Sequence, residues 1–115
     1  MTAEGLSKVI IKGMEEKKAS DILLMDLRNI KNTVTDFFVI CSGNSDSQVD
    51  AISKSIEEQV HLVGESPAWK IEGRSNGQWI LMDYVNVVAH IFLKDKREFY
   101  GLEDLWGDAK TTRIN

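Results

Sequence analysis

Leu6, Val9, Ile10 and Met14 recur at spacings of three and four, while Glu4, Lys8, Lys12 and Glu15 fall off that stripe. This is the period of an amphipathic helix, and it predicts one over Ala3–Lys18. Its polar face mixes both charges, which fits a helix packed on a core better than one lying on a membrane. The pattern changes at "DILLMDL", 21–27, an apolar run flanked by acids and too short for a typical helix. It reads as a buried strand. Asn29, Asn32 and Thr33 then mark a loop, and "FFVIC", 37–41, is aromatic and β-branched, a second strand.

"SGNSDSQ", 42–48, follows that strand directly. Asn44 or Ser45 can cap a helix, and with Ser45 as the cap Gln48 would complete a capping box three residues on. Val49, Ile52, Ile56, Val60 and Val63 repeat at helical spacing, Gly64 is a stop signal, and Pro67 lies beyond it. From 69 to 93 the pattern is β: "WKIEGRS", the turn pair Asn76-Gly77 and "WILMDY" read as a hairpin. Val85-Asn86 begins a second bend into "VVAHIFL". Asp95 to Trp106 reads as one or two short helices, with Asp95 as cap and Gly101 as divider. The order α-β-β-α-β-β-β-α is satisfied most simply by α/β architecture: a single mixed β-sheet of about five strands with helices packed on it. Residues 1–109 are expected to form the one domain and 110–115 a tail.

A chain of 115 residues can bury a core of its own. No apolar run approaches the ~20 residues that span a bilayer. The opening "MTAEGLSKVI" has neither the apolar core of a signal peptide nor the arginines of a transit peptide, so the expected location is the cytoplasm. Cys41 is the single cysteine, which rules out an internal disulfide. Fourteen basic against eighteen acidic residues leave a net charge of −4. That balance disfavours a protein gripping a nucleic-acid backbone, which needs a positive surface, and suits a basic partner.

The strand–"SGNS"–helix junction is the best candidate for catalysis, because free N–H groups at a helix start attract phosphate. A Gly-Ser turn of this kind is a feature of nucleotidyltransferases, which add two strand acids one residue apart to hold magnesium. Here Asn44 separates Gly43 from Ser45, Asp83 stands alone between Met82 and Tyr84, and no Asp-x-Asp or Asp-x-Glu lies on a predicted strand. Too few oxygen ligands remain for a magnesium ion. A nucleotidyltransferase-like enzyme acting on nucleotides or RNA is therefore the alternative, not the leading, reading. Cys41 with His90 or His61 could form a nucleophile and base, but a buried inert thiol is the simpler reading, and these residues lack metal-ligand spacing. His90 either alternates outward from its strand or faces a partner. Among the aromatics Trp69, Trp79, Tyr84, Phe92, Phe99, Tyr100 and Trp106, the core is expected to take Phe92 and Phe99. A docking face built from the hairpin and the last helices would draw on the rest, since Trp, Tyr and Arg are common interface anchors.

"DFFVICSGNSDSQVDAI" at 36–52, "GQWILMDYVNVVAHIF" at 77–92 and "REFYGLEDLWGDA" at 97–109 together resemble the ribosomal silencing factor, or Iojap, family. The resemblance runs from about Leu6 to Ala109. It implies a nucleotidyltransferase-like topology without the catalytic acids, no cofactor, and a non-enzymatic role. It also implies binding to the large ribosomal subunit at large-subunit ribosomal protein fourteen, which blocks small-subunit joining and lowers translation when nutrients are scarce. A homodimer is expected, and direct sequence-specific contact with nucleic acid is not. Carried over by position, the partner-binding residues are Trp79, Asp83, Tyr84, His90, Glu98, Tyr100, Leu102, Glu103, Leu105, Trp106 and Asp108. The aromatics and Leu105 would supply buried area, and Glu98, Glu103 and Asp108 would meet cations of the partner. One departure stands out: Val85-Asn86 occupies a place where family members commonly have Gly-Asp.

Overall fold

In the computed structural model, which describes residues 1–115, the first apolar stripe becomes helix α1, Ala3–Glu16. The Thr2 hydroxyl accepts the Gly5 N–H at 3.0 Å and caps its start. The second stripe becomes α2, Asp46–Leu62, with Ser45 Oγ accepting the Gln48 N–H at 3.1 Å. The two helices meet backbone to backbone at Gly13. A Cβ there would lie 2.8 Å from Ile56 Cα, and Ser55 Oγ donates to the Gly13 carbonyl at 2.8 Å.

The strands are β1 (Ser20–Asp26), β2 (Phe37–Gly43), β3 (Lys70–Glu72), β4 (Trp79–Asp83), β5 (Val87–Leu93) and β6 (Lys110–Arg113). They form one mixed sheet in the order β3-β4-β5-β2-β1-β6. Only β2 and β5 run parallel, with Phe37 opposite Val87 and Gly43 opposite Leu93. The connection between them carries α2 and the β3–β4 hairpin. β2 sits near the middle and is buried along its whole length, as its unbroken apolar run requires.

Helices α1 and α2 cover one face and bury the main core, which includes Ile10, Met14, Ile52, Ile56, Ile80 and Ile91. The opposite face carries a smaller cluster of Met25, Leu27, Phe38, Ile40, Val88, Phe92 and Leu102. Two short helices, α3 (Lys94–Tyr100) and α4 (Leu102–Leu105), lie on this second side, divided by Gly101 in the left-handed region at φ 62°. Phe92 is fully buried, as expected.

Four expectations need correction. Residues 110–113, expected as a tail, pair antiparallel with β1 and bring the single mixed sheet of about five strands to six. The end is fastened by Asn115, whose Oδ1 accepts the Ile22 N–H at 2.8 Å and whose Nδ2 donates to the Ala19 carbonyl at 3.2 Å. "KTTR" is exposed throughout, so no apolar alternation marked it; the free edge of β1 recruits it. Asp95 is not a cap. β5 runs straight into α3, Leu93 holds the cap position, and Asp95 lies in the first turn, where its charge faces the positive helix end. Asn76-Gly77 lies inside a longer connection spanning 73–78, not a two-residue turn, since β3 ends at Glu72. Phe99, expected in the core, is 79% exposed.

Candidate functional site

Strand alternation divides the residues of β4 and β5 between the two faces. Ile80, Met82 and Tyr84, with Val87, Ala89 and Ile91, join the core under the helices. Trp79 and Leu81, with Val88 and Phe92, pack in the cluster on the other side. That second side is the candidate site. Trp79 stacks on Phe92 at 5.0 Å between ring centroids, and Tyr100 of α3 lies 4.8 Å from Trp79. Phe38 meets His90 edge to face at 4.6 Å and Trp106 at 5.6 Å.

Trp79 Nε1–H donates to His90 Nδ1 at 3.1 Å. Because indole nitrogen only donates, this bond fixes the imidazole as the neutral tautomer with its proton on Nε2. Burial drives the His90 pKa down to about 3. The ring is therefore a neutral, buried part of the aromatic cluster at physiological pH, not a cation. Beside it runs a groove of about 380 Å³, walled by Leu27, Phe38, Leu81, Val88, His90 and Trp106, with Asp83 as the single charged residue along it. Val34 and Val85 also line the groove and are exposed, and Phe99 and Leu105 stand exposed on α3 and α4. Exposed apolar side chains grouped in this way make the face a candidate interaction surface.

The residues carried over from the resemblance divide accordingly. Trp79, Asp83, His90, Tyr100 and Trp106 come together on the open face. Leu105, Glu98 and Asp108 are exposed. Leu102 is buried in the cluster beneath. Glu103 is half-buried and paired within the chain, its Oε1 accepting from Arg97 Nε at 2.6 Å. Tyr84 points to the opposite face, where burial and then Glu57 push its phenol up to about 12. Phe38, Leu81, Val88, Val34 and Val85 were missed. The strand residues could have been found by following the phase of Trp79 across the neighbouring strands, but which strands are neighbours is a matter of topology.

The alternative chemistry finds little footing. At the "SGNS" turn the Asn44 N–H donates to Gln48 Oε1 at 2.6 Å, so the chain's own side chain sits where an anion would bind. This is a variant of the expected capping box, with the return bond going to Asn44 in place of Ser45. Gln48 Nε2 donates in turn to the Lys17 and Lys18 carbonyls at 3.1 and 3.3 Å. Gly77 packs against Asp46, where a Cβ would come within 2.8 Å of the Asp46 Cβ, so a loop and an acid cover the helix start. Cys41 belongs to the core under the helices, on the far side of the sheet from the aromatic cluster, and its thiol is pushed up by burial. No group of His, Cys, Asp and Glu is placed to hold a metal ion, and no helix is long and apolar enough to cross a membrane.

A family model described as ribosomal silencing factor during starvation matches residues 1–115. This chain belongs to the ribosomal silencing factor family. It is 42% identical over 109 residues to ribosomal silencing factor RsfS of Bacillus subtilis, covering 95% of this chain and 91% of that one. It is 35% identical over 102 residues to the chloroplastic protein Iojap of Zea mays, covering 87% of this chain and 42% of that longer protein. Among solved structures, a Chromobacterium violaceum protein superposes with a TM-score of 0.87 at 29% identity, over 100% of this chain and 94% of that one. A Bacillus halodurans protein superposes with a TM-score of 0.82 at 32% identity, over 96% and 99%. Family membership makes a regulatory, ribosome-associated role the coarse function of this silencing factor.

Proposed function

We propose that this silencing factor binds the large ribosomal subunit through large-subunit ribosomal protein fourteen and excludes the small subunit by occupying space. Translation then falls under nutrient limitation, and no bond in the ribosome is made or broken. The observation that carries this reading is the open face itself. A groove lined by aromatics and branched aliphatics, with exposed Phe99 and Leu105 beside it and Asp83 along it, suits an apolar segment of a basic protein. The acidic balance of the chain adds long-range attraction, which speeds encounter more than it tightens the complex. Exclusion needs only bulk, and the domain measures 35 × 35 × 25 Å. The free factor is proposed to be a homodimer in the cytoplasm, which light scattering at tens of micromolar tests directly.

The deciding experiment is order of addition with purified subunits, followed by sedimentation. Added to free large subunits in stoichiometric amount, the factor should co-sediment with them and suppress joining; washing it away should restore joining by mass action. Added to assembled ribosomes, whose site is covered, it should do little. Equal inhibition in both orders, or inhibition by a small fraction of one factor per ribosome, would sink steric exclusion.

A further inference from the structure

Helix α3 poses a physical problem: it has no buried side chain, yet it must hold Tyr100 against Trp79. Tyr100 packs on Trp79 and Phe92 but is 38% exposed, and Phe99 faces solvent, so apolar burial is a small part of what fixes this helix. Arg97, also on α3, has a side chain only 11% exposed. Its guanidinium fork joins three elements. Nη1 donates to the Asp21 carbonyl of β1 at 2.7 Å and to Ser42 Oγ of β2 at 2.9 Å, and Nε donates to Glu103 Oε1 of α4 at 2.6 Å.

The sheet is shaped to receive this fork. The pairing of β1 with β2 slips between Ser20 and Leu23, and Asp21 sits in the left-handed region at φ 51°. A bulge of this kind takes a residue out of the ladder and re-aims its polar groups. Here the Asp21 carbonyl is aimed at Arg97. The Glu103 contact spans Gly101, the joint between α3 and α4, so one side chain sets the angle of that joint as well as the seat of both helices.

We propose that Arg97 is a positioning residue: it holds the α3–α4 arm in its docking geometry, ordering Tyr100, Leu105 and Trp106 before a partner arrives. This rests on the reading of the open face as the docking surface, and deepens it. Pre-ordering matters because affinity falls in proportion to the fraction of molecules whose site is competent. A lysine would keep the charge but offers one nitrogen where the three acceptors lie around a planar fork, so charge alone is not sufficient.

The test compares wild type with Arg97→Lys, Arg97→Met and Glu103→Gln, using amide hydrogen exchange on the free factor and binding kinetics on isolated large subunits. Both Arg97 variants should raise exchange across 94–109 by about tenfold or more while β2 and β5 keep their protection, and should slow association by a similar factor. Glu103→Gln, which weakens only the α4 arm, should loosen 102–109 and leave α3 protected; it also serves if Arg97→Met fails to fold. Unchanged exchange in 94–109, or loosening with no loss of association, overturns the proposal, as does full rescue by lysine. If wild type itself does not bind large subunits, the docking reading falls instead, and the exchange data still decide whether Arg97 clamps the arm.

Discussion

The two faces of this sheet are built from the same four strands, β1, β2, β4 and β5, and the same kinds of residue, yet they are finished differently. Under α1 and α2, two helices of three to five turns close a continuous core, and the helices touch at a glycine with no room for a methyl group. On the other side, four- and seven-residue helices cover a smaller cluster and leave a groove beside it. The first face spends its apolar residues wholly on folding. The second divides them: Phe92 and Leu102 are interior, while Phe99 and Leu105 are presented outward. The lesson is that aromatic content does not separate core from interface; what separates them is whether the covering element is long enough to shut out water.

The sharpest way to break this comparison is to hollow out each side. Ile56→Ala, in the sealed core, should destabilise the domain by about 2–5 kcal/mol in a urea melt, with ribosome affinity per folded molecule unchanged. A large loss of affinity without loss of stability would mean that the helical face, not the open one, meets the partner.

Acid should act on the open side through His90. Its unfolded pKa is near 6.5 and its folded value about 3, lowered by burial. Folding thus favours the neutral ring, so this contribution is intact above pH 6.5 and is lost as pH falls toward 3. Within that window the loss approaches about 1.4 kcal/mol per pH unit. His90→Gln should flatten that part of the stability–pH curve; an unchanged slope would show that the ring is protonated without cost and is not sealed in the cluster.

Trp106→Ala should reverse the pattern of Ile56→Ala. It removes an edge contact with Phe38 from a half-buried position, so the domain should stay folded. Affinity for large subunits should drop by more than tenfold, about 2 kcal/mol for an interface anchor. Melting of the domain on this change would assign Trp106 to the core and shrink the docking face.

The smallest effect concerns the rim. Val85 lines the groove with φ at 73°, a left-handed conformation that a β-branched side chain resists. Val85→Gly should relieve about 1–2 kcal/mol of strain, offset by about 0.5–1 kcal/mol of added freedom in the unfolded chain. A modest rise in melting temperature is expected, accompanied by a weaker hold on the ribosome if the isopropyl group is a contact. A fall in stability would show that Val85 packs more than its exposure suggests.

Much of this was legible from the chain. Helix α1, helix α2 with its Ser45 cap, the central apolar strands and the Gly101 joint all follow from local rules: period, capping chemistry and the preference of glycine for positive φ. Those rules act over a few residues, so a sequence states them outright. The three blocks quoted from the chain also point to the family, because their order and spacing are a property of sequence. Tertiary structure alone decided the rest. β6 exists because β1 has a free edge, not because "KTTR" has a strand pattern. Tyr84 and Trp79 look equivalent in the chain but lie on opposite faces, since an odd separation of five positions, from the start of β4 to the residue just past its end, reverses the side. Phe99 is exposed because α3 turns Arg97 and Tyr100 toward the sheet and leaves Phe99 facing solvent. Each of these depends on what lies next to a residue across the sheet, and the sum of short-range preferences along a chain does not contain that information.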